Sequence, residues 1–236
     1  VNAGQMILNT PSLTRSGQST LSIRATTSTE LGSTALQSQK MFVTAGLSPT
    51  FGMVAPWMMN ASGRNFLSYD ATVGFTNTSF VSGTVTAGGG DAFLTPFTGT
   101  EIVQFSGGWG TGTTGVTTLT STKNVYALRV DEDTGTRDAV FEGGQINIHS
   151  GGLIAGADDS NRVNFNTTAV YFGNGTTPVE GVVYGGHSST ITRFGGVVTA
   201  AGLTLTGPGQ FQLTNTANAI SGAIQMNGGT LFVDGN

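Results

Sequence analysis

The sequence predicts an all-β protein, and three observations predict it. Glycine takes 37 of 236 positions, more than double its usual share of roughly 7%. Charged residues fall to 9%, where an ordinary globular chain carries roughly 25%. Short segments alternate polar with apolar residues and are punctuated by glycine pairs. Gly, Thr, Ser and Asn all lower helix propensity, which argues against a helical bundle. A hydrophobic content of 37% and a net charge of −4 argue against a charged disordered chain. Glycine has no every-third-residue period, which excludes collagen. The length allows one large domain or two small ones.

Taken in order, Gln5–Asn9 and Ser19–Arg24 read as strands, and residues 30–40 as a short helix or a loop. Residues 47–60, from Leu47 through Pro49, Phe51, Pro56, Trp57 and Met59, form a Pro-punctuated apolar stretch expected to be a flap packed on the side of the fold or an exposed contact patch. Residues 106–118 form a Gly/Thr-rich loop around Trp109 and make a soft division between 1–105 and 106–236. Beyond it, Gln145–His149, Arg162–Asn166, Leu203–Thr206, Gln210–Thr214 and Ala223–Asn227 alternate with period two, which buries one face and wets the other. Gly143-Gly144, Gly151-Gly152, Gly185-Gly186, Gly195-Gly196 and Gly228-Gly229 mark the turns between strands of four to six residues. Tight turns and stackable Val, Ile, Leu and Ala favour a coiled solenoid over a sandwich or propeller. The expected architecture is an irregular right-handed parallel β-helix with loop excursions, running as one continuous solenoid.

Leu203–Val233 carries the strongest pattern. Gly207, Gly209, Leu213, Asn218, Ser221, Gly222, Gly229, Thr230, Leu231 and Val233 match the autotransporter-associated β-strand repeat (the passenger-associated transport repeat), which this segment resembles. Phe211 and Ile220 depart from it by apolar swaps. The resemblance implies a right-handed parallel β-helix on a bacterial surface. The run Asn124–Gly202 is similar to the rungs that precede such repeats in very large surface proteins, and Pro56–Ala71 resembles another of their elements. A fragment of a giant bacterial surface protein is thus one expectation. Abrupt, uncapped rungs at Val1–Gly4 and Phe232–Asn236 would invite end-to-end addition, giving filaments or continuation in a longer chain.

Candidate chemistry is sparse. Asp131, Asp133 and Glu142 stand at positions 1, 3 and 12 of a calcium loop, but Gly135 and Thr136 occupy positions 5 and 6, so glycine is one place early. Asp138 and Asp158-Asp159 lie nearby, and a solvated acidic turn is the simpler reading. His149 and His187 stand apart in a chain with no cysteine, which sets zinc aside. No nucleophile elbow is recognisable. Gly110-Thr111-Gly112-Thr113-Thr114-Gly115 fits a dinucleotide fingerprint literally, but a β-prone run follows where a helix is needed. Asn60, Asn77, Asn166 and Asn174 head glycosylation sequons, as expected by chance in so Asn- and Thr-rich a chain. Trp57 and Trp109 are expected to pack in a core or interface, with stacking on sugar as the alternative.

With 9 basic and 13 acidic residues and lysine only at 40 and 123, the chain lacks the basic patch of a nucleic-acid binder. Its longest apolar run, Met53–Met59, is too short for a membrane helix. The sequence therefore leads to the expectation of a non-enzymatic extracellular structural protein of a bacterial cell surface: a rod, fibre subunit or adhesin passenger that stacks head to tail, with surface polysaccharide as a further partner. No cofactor and no catalytic residue is expected; calcium is the one ion considered. The alternative is a carbohydrate-acting β-helix enzyme, a polysaccharide lyase or glycosidase, with paired carboxylates in a groove.

Overall fold

The computed structural model describes residues 6–25, 31–32, 39–62, 64–83, 97–106, 114–131, 138–156 and 162–234. It is all-β with no helix among these residues, and its sheets are mostly parallel. The chain divides into two compact units, one up to Ser79 and one from Phe80. The expected soft division at 106–118 falls inside the second unit. There, strands on both sides of 106–118 share one sheet.

The first unit contains β1 (Met6–Thr10), β2 (Leu21–Ile23), β3 (Gln39–Val43), β4 (Met58–Asn60), β5 (Asn65–Asp70) and β6 (Gly74–Asn77). β1 pairs with β3 and β2 with β4 in parallel. The run β4-β5-β6 is antiparallel, a departure from the rungs expected over 1–105. A local cause is visible at Asp70, whose Oδ1 accepts from Thr72 N (2.7 Å) and Val73 N (3.2 Å). That Asx turn reverses the chain into Gly74, whose φ of 79° suits glycine. Residues 47–60, expected as a flap or an exposed contact patch, divide: Ser48 and Thr50–Gly52 are exposed, whereas Met53 and 58–60 enter the core. Met53, Met58 and Met59 are fully buried, and Met58 packs with Ala25, Leu31, Val43, Leu67 and Phe75. The Tyr69 hydroxyl donates to Val43 O and accepts from Val43 N, both at 3.0 Å, and its ring meets Phe75 edge-on at 5.4 Å.

The second unit begins with β7 (Val81–Ser82) and β8 (Ile102–Ser106). Three runs of parallel pairing follow, visited in the same order again and again. The first passage comprises β9 (Thr114–Leu119), β10 (Lys123–Val125) and β11 (Ala127–Asp131). The next uses β12 (Asp138–Ile148), which serves two runs, then β13 (Gly152–Ala155). After it come β14 (Arg162–Phe172), again serving two, and β15 (Glu180–Gly185). Then follow β16 (Ile191–Phe194), β17 (Val197–Ala200) and β18 (Gly202–Thr206), and finally β19 (Gln210–Leu213), β20 (Ala219–Ile220), β21 (Ile224–Met226) and β22 (Thr230–Val233). β9-β12-β14-β16-β19-β22 form one run. β10-β12-β14-β17-β20 form the second, and β8-β11-β13-β15-β18-β21 the third.

Gly143-Gly144 does not end a strand as expected. Pairing with β14 continues on both sides of it, through Gly143↔Thr167 and Gln145↔Ala169, so β12 and β14 are 11 residues long and bend there. Gly143 has φ 88°, and a Cβ on it would lie 2.5 Å from Leu119 O; the corner needs glycine.

Parallel register stacks like on like. Phe141 pairs with Phe165 and Phe165 with Phe194. Their rings stack at 5.3 and 5.4 Å, and Phe105 meets Phe141 edge-on at 5.4 Å. Ile146, Val170 and Val198 form a second buried row, and Leu128, Leu153, Val183 and Leu205 a third. One expectation fails in the third run. Every residue of β11, β13 and β18 is buried, so both faces of this part of the sheet are dry. Ala127, Ile154, Val182 and Tyr184 make the second face apolar, as continuous runs such as Gly152–Ala155 signal. Its polar members find partners: Arg129 Nε donates to Asp131 Oδ1 at 2.8 Å, and Thr204 Oγ1 donates to Glu180.

Candidate functional site

The first run presents its outer face through alternate members of its strands, most of them polar. Phe165, Phe194, Phe211 and Leu213 point inward. The residues between them align outside as two rows, Arg162-Ile191-Gln210-Thr230 and Asn164-Arg193-Gln212-Phe232. Arg162, Ile191, Arg193, Gln210, Gln212 and Phe232 line a shallow depression of about 390 Å³, within the size range of ligand sites. Arg193 Nε is buried and has no hydrogen-bond partner. Asp138, one strand away, spends its carboxylate on Arg162 N (3.1 Å) and Asn164 Nδ2 (3.4 Å). Sequence reasoning missed this surface because its members lie between 162 and 232 and meet only through register. The signal was Arg193 in Ile-Thr-Arg-Phe and the two glutamines of Gln-Phe-Gln-Leu, each at an outward position of its strand.

A second polar cluster gathers around Glu101. Its carboxylate accepts from Thr98 N (2.9 Å), Thr98 Oγ1 (2.8 Å), Thr100 Oγ1 (3.0 Å) and Gly99 N (3.2 Å). Burial pushes this carboxyl up, but the hydrogen bonds together outweigh it and hold the pKa at about 2. His149 is pulled below its ordinary value by burial, and the Glu101 charge opposes that shift. The imidazole lies over Gly99, where a Cβ would approach it to 2.1 Å. Beside it, Asn147 Nδ2 donates to Asn124 Oδ1 at 2.9 Å, and Gln145 Nε2 to Asn147 Oδ1 at 2.6 Å. One bond runs along β12 and the other crosses to β10, so the buried Asn147 amide is satisfied as both donor and acceptor.

The other sequence candidates are scattered. Asp131 is buried, and its carboxylate is taken by Arg129 and by Gln104 Nε2 at 2.7 Å. Arg129 also lies over the Phe80 ring at 5.3 Å. Asp133, Gly135 and Thr136 lie outside the described residues, as do Glu132, Asp158 and Asp159, while Glu142 is exposed. Among the described residues no three His, Asp or Glu side chains gather as a metal site would require. The His187 ring Nδ1 accepts from Ser189 N at 3.2 Å, far along the chain from His149 and in a different turn. Trp57 packs against the first unit's core with Arg15 5.5 Å from its ring centroid; Trp109 and residues 110–113 lie outside the described residues. Asn60 is fully buried and donates to Asn77 Oδ1 at 2.8 Å, so its sequon is shielded. Asn166 and Asn174 are exposed.

The segment 203–233 has a local physical logic. Asn218 Oδ1 accepts from Val198 N at 2.8 Å, and Asn215 Nδ2 donates to Gly195 O at 3.2 Å, so each asparagine fastens a turn to the strand passage before it. A Cβ on Gly222 would lie 2.2 Å from Ala201 O, which explains glycine there. At the far edge, β21 and β22 pair on one side only among the described residues, and Ile224, Phe232 and Val233 are 43%, 48% and 74% exposed.

No protein-family model, no curated protein and no solved structure matches this chain.

Proposed function

We propose that the second unit is a right-handed parallel β-helix and that the protein is a non-enzymatic structural element of a bacterial cell surface: a rod, fibre subunit or adhesive passenger. Repeated passage through three parallel runs supports the helix, and crossovers between parallel strands in one sheet are almost always right-handed. The resemblance of 203–233 to the autotransporter-associated β-strand repeat supports the surface role. The observation that carries the reading is the repetition itself: three parallel runs are visited in one order from β9 to β22, and each passage shelters the inward side chains of the one before. Val233 on β22 is 74% exposed; covering it with a second copy is a head-to-tail contact, which does not close on itself and extends into a filament.

Sedimentation velocity over a concentration series, with negative-stain imaging of the same samples, tests this. The expected result is particles that lengthen with concentration at constant width, and their loss in Val233→Glu, which sets a charge on the docking edge. Discrete globular particles at every concentration would refute the head-to-tail stacking.

A further inference from the structure

We propose that the outer face of β14-β16-β19-β22 binds an anionic polysaccharide, through carboxylate or sulfate groups held by Arg162 and Arg193. The inference uses only the register of these strands and stands apart from end-to-end assembly. Neither guanidinium has a hydrogen bond or ion pair among the described residues, and Arg193 Nε is buried without a partner. A buried donor left unmade costs stability, and a turn of the Arg193 side chain toward an oxyanion in the depression would give it an acceptor. Arginine forks suit carboxylate and sulfate in particular, because two parallel N–H groups meet two oxygens.

The other lining groups suit a sugar. Gln210 and Gln212 are half-buried and offer amide donors and acceptors to ring hydroxyls. Phe232, half-exposed, offers an aromatic face to the C–H side of a pyranose. Neighbouring strands lie about 4.8 Å apart, roughly the length of one hexose residue, so a polymer running across the strands meets similar chemistry at each step. Two arginines make a local cationic spot, not the extended basic surface that a nucleic-acid backbone needs.

Titration calorimetry of the full chain at low salt, with oligogalacturonate, a sulfated oligosaccharide and neutral cello-oligosaccharide of matched length, tests the assignment. Heat is expected from at least one acidic oligomer and little from the neutral one, falling at high salt as charges are screened. Which acidic oligomer binds decides between carboxylate and sulfate. Arg162→Gln with Arg193→Gln should weaken binding at least about tenfold, since two charge-assisted contacts are lost. Arg193→Gln alone should leave the melting temperature unchanged or raised, because the orphaned donor goes with it; a purely structural arginine would give a drop. No heat from either acidic oligomer at millimolar concentration, equal binding of the neutral oligomer, or wild-type affinity in the double variant would overturn the proposal.

Discussion

Removing the central ring of the aromatic stack, Phe165→Ala, should be among the costliest single changes in the second unit. Phe165 is 0% exposed and lies between Phe141 at 5.3 Å and Phe194 at 5.4 Å, both rings nearly parallel to it and stacked on it. A buried Phe→Ala change costs about 3–5 kcal/mol. An aromatic pair adds about 0.5–1.5 kcal/mol beyond its buried area, and here two pairs break together, so a loss of about 4–5 kcal/mol is expected. That is a large part of the roughly 5–15 kcal/mol by which a domain is stable. Phe165→Leu keeps most of the volume while losing ring stacking, and should cost about 1–2 kcal/mol. Urea unfolding followed by circular dichroism reads both, with Phe51→Ala as an exposed control expected within about 0.5 kcal/mol of wild type. A loss below about 1.5 kcal/mol for Phe165→Ala would refute the stacked core, since no close-packed ring can be deleted so cheaply.

Three further outcomes are expected. Thr192 sits in an inward row between Val163 and Phe211, and its buried hydroxyl has no partner; Thr192→Val should therefore raise stability by about 1 kcal/mol in the same urea assay. Glu101, with its pKa at about 2 against an ordinary 4.5, binds fewer protons folded than unfolded. Its contribution is full above pH 4.5 and fades as pH falls toward 2. His149 has the same sign, because its lowered pKa favours the neutral ring and costs stability as pH falls below its ordinary value of 6.5. Melting curves of wild type and Glu101→Gln should converge toward pH 2. The His149 pKa read by NMR should fall further in the variant, which lacks the charge that supports protonation.

Much of the second unit was legible because its chemistry is local. Gln145–His149 and Gln210–Thr214 advertise strands by alternation, and glycine marks corners such as Gly143, where a Cβ would strike Leu119 O. What stayed hidden depends on register. Phe105, Phe141, Phe165 and Phe194 are unevenly spaced, because the intervening turns differ in length, so no repeat shows that they stack. The outer face of Arg162, Arg193, Gln210, Gln212 and Phe232 was invisible for the same reason. The first unit misled differently: Pro49 and Pro56 read as punctuation of a flap, whereas burial of Met53 and Met58 decides where that stretch lies. Its antiparallel reversal was written in the Asp70–Gly74 turn, which goes unnoticed without the pairing on either side.

The regular visiting order of the parallel runs carries a kinetic corollary. Each strand from β12 onward finds its partner in the passage just completed, so adding passages does not lengthen the loops that must close. The loop-closure entropy per added strand therefore does not grow with the number of passages, and such a chain can add one passage after another to those already formed.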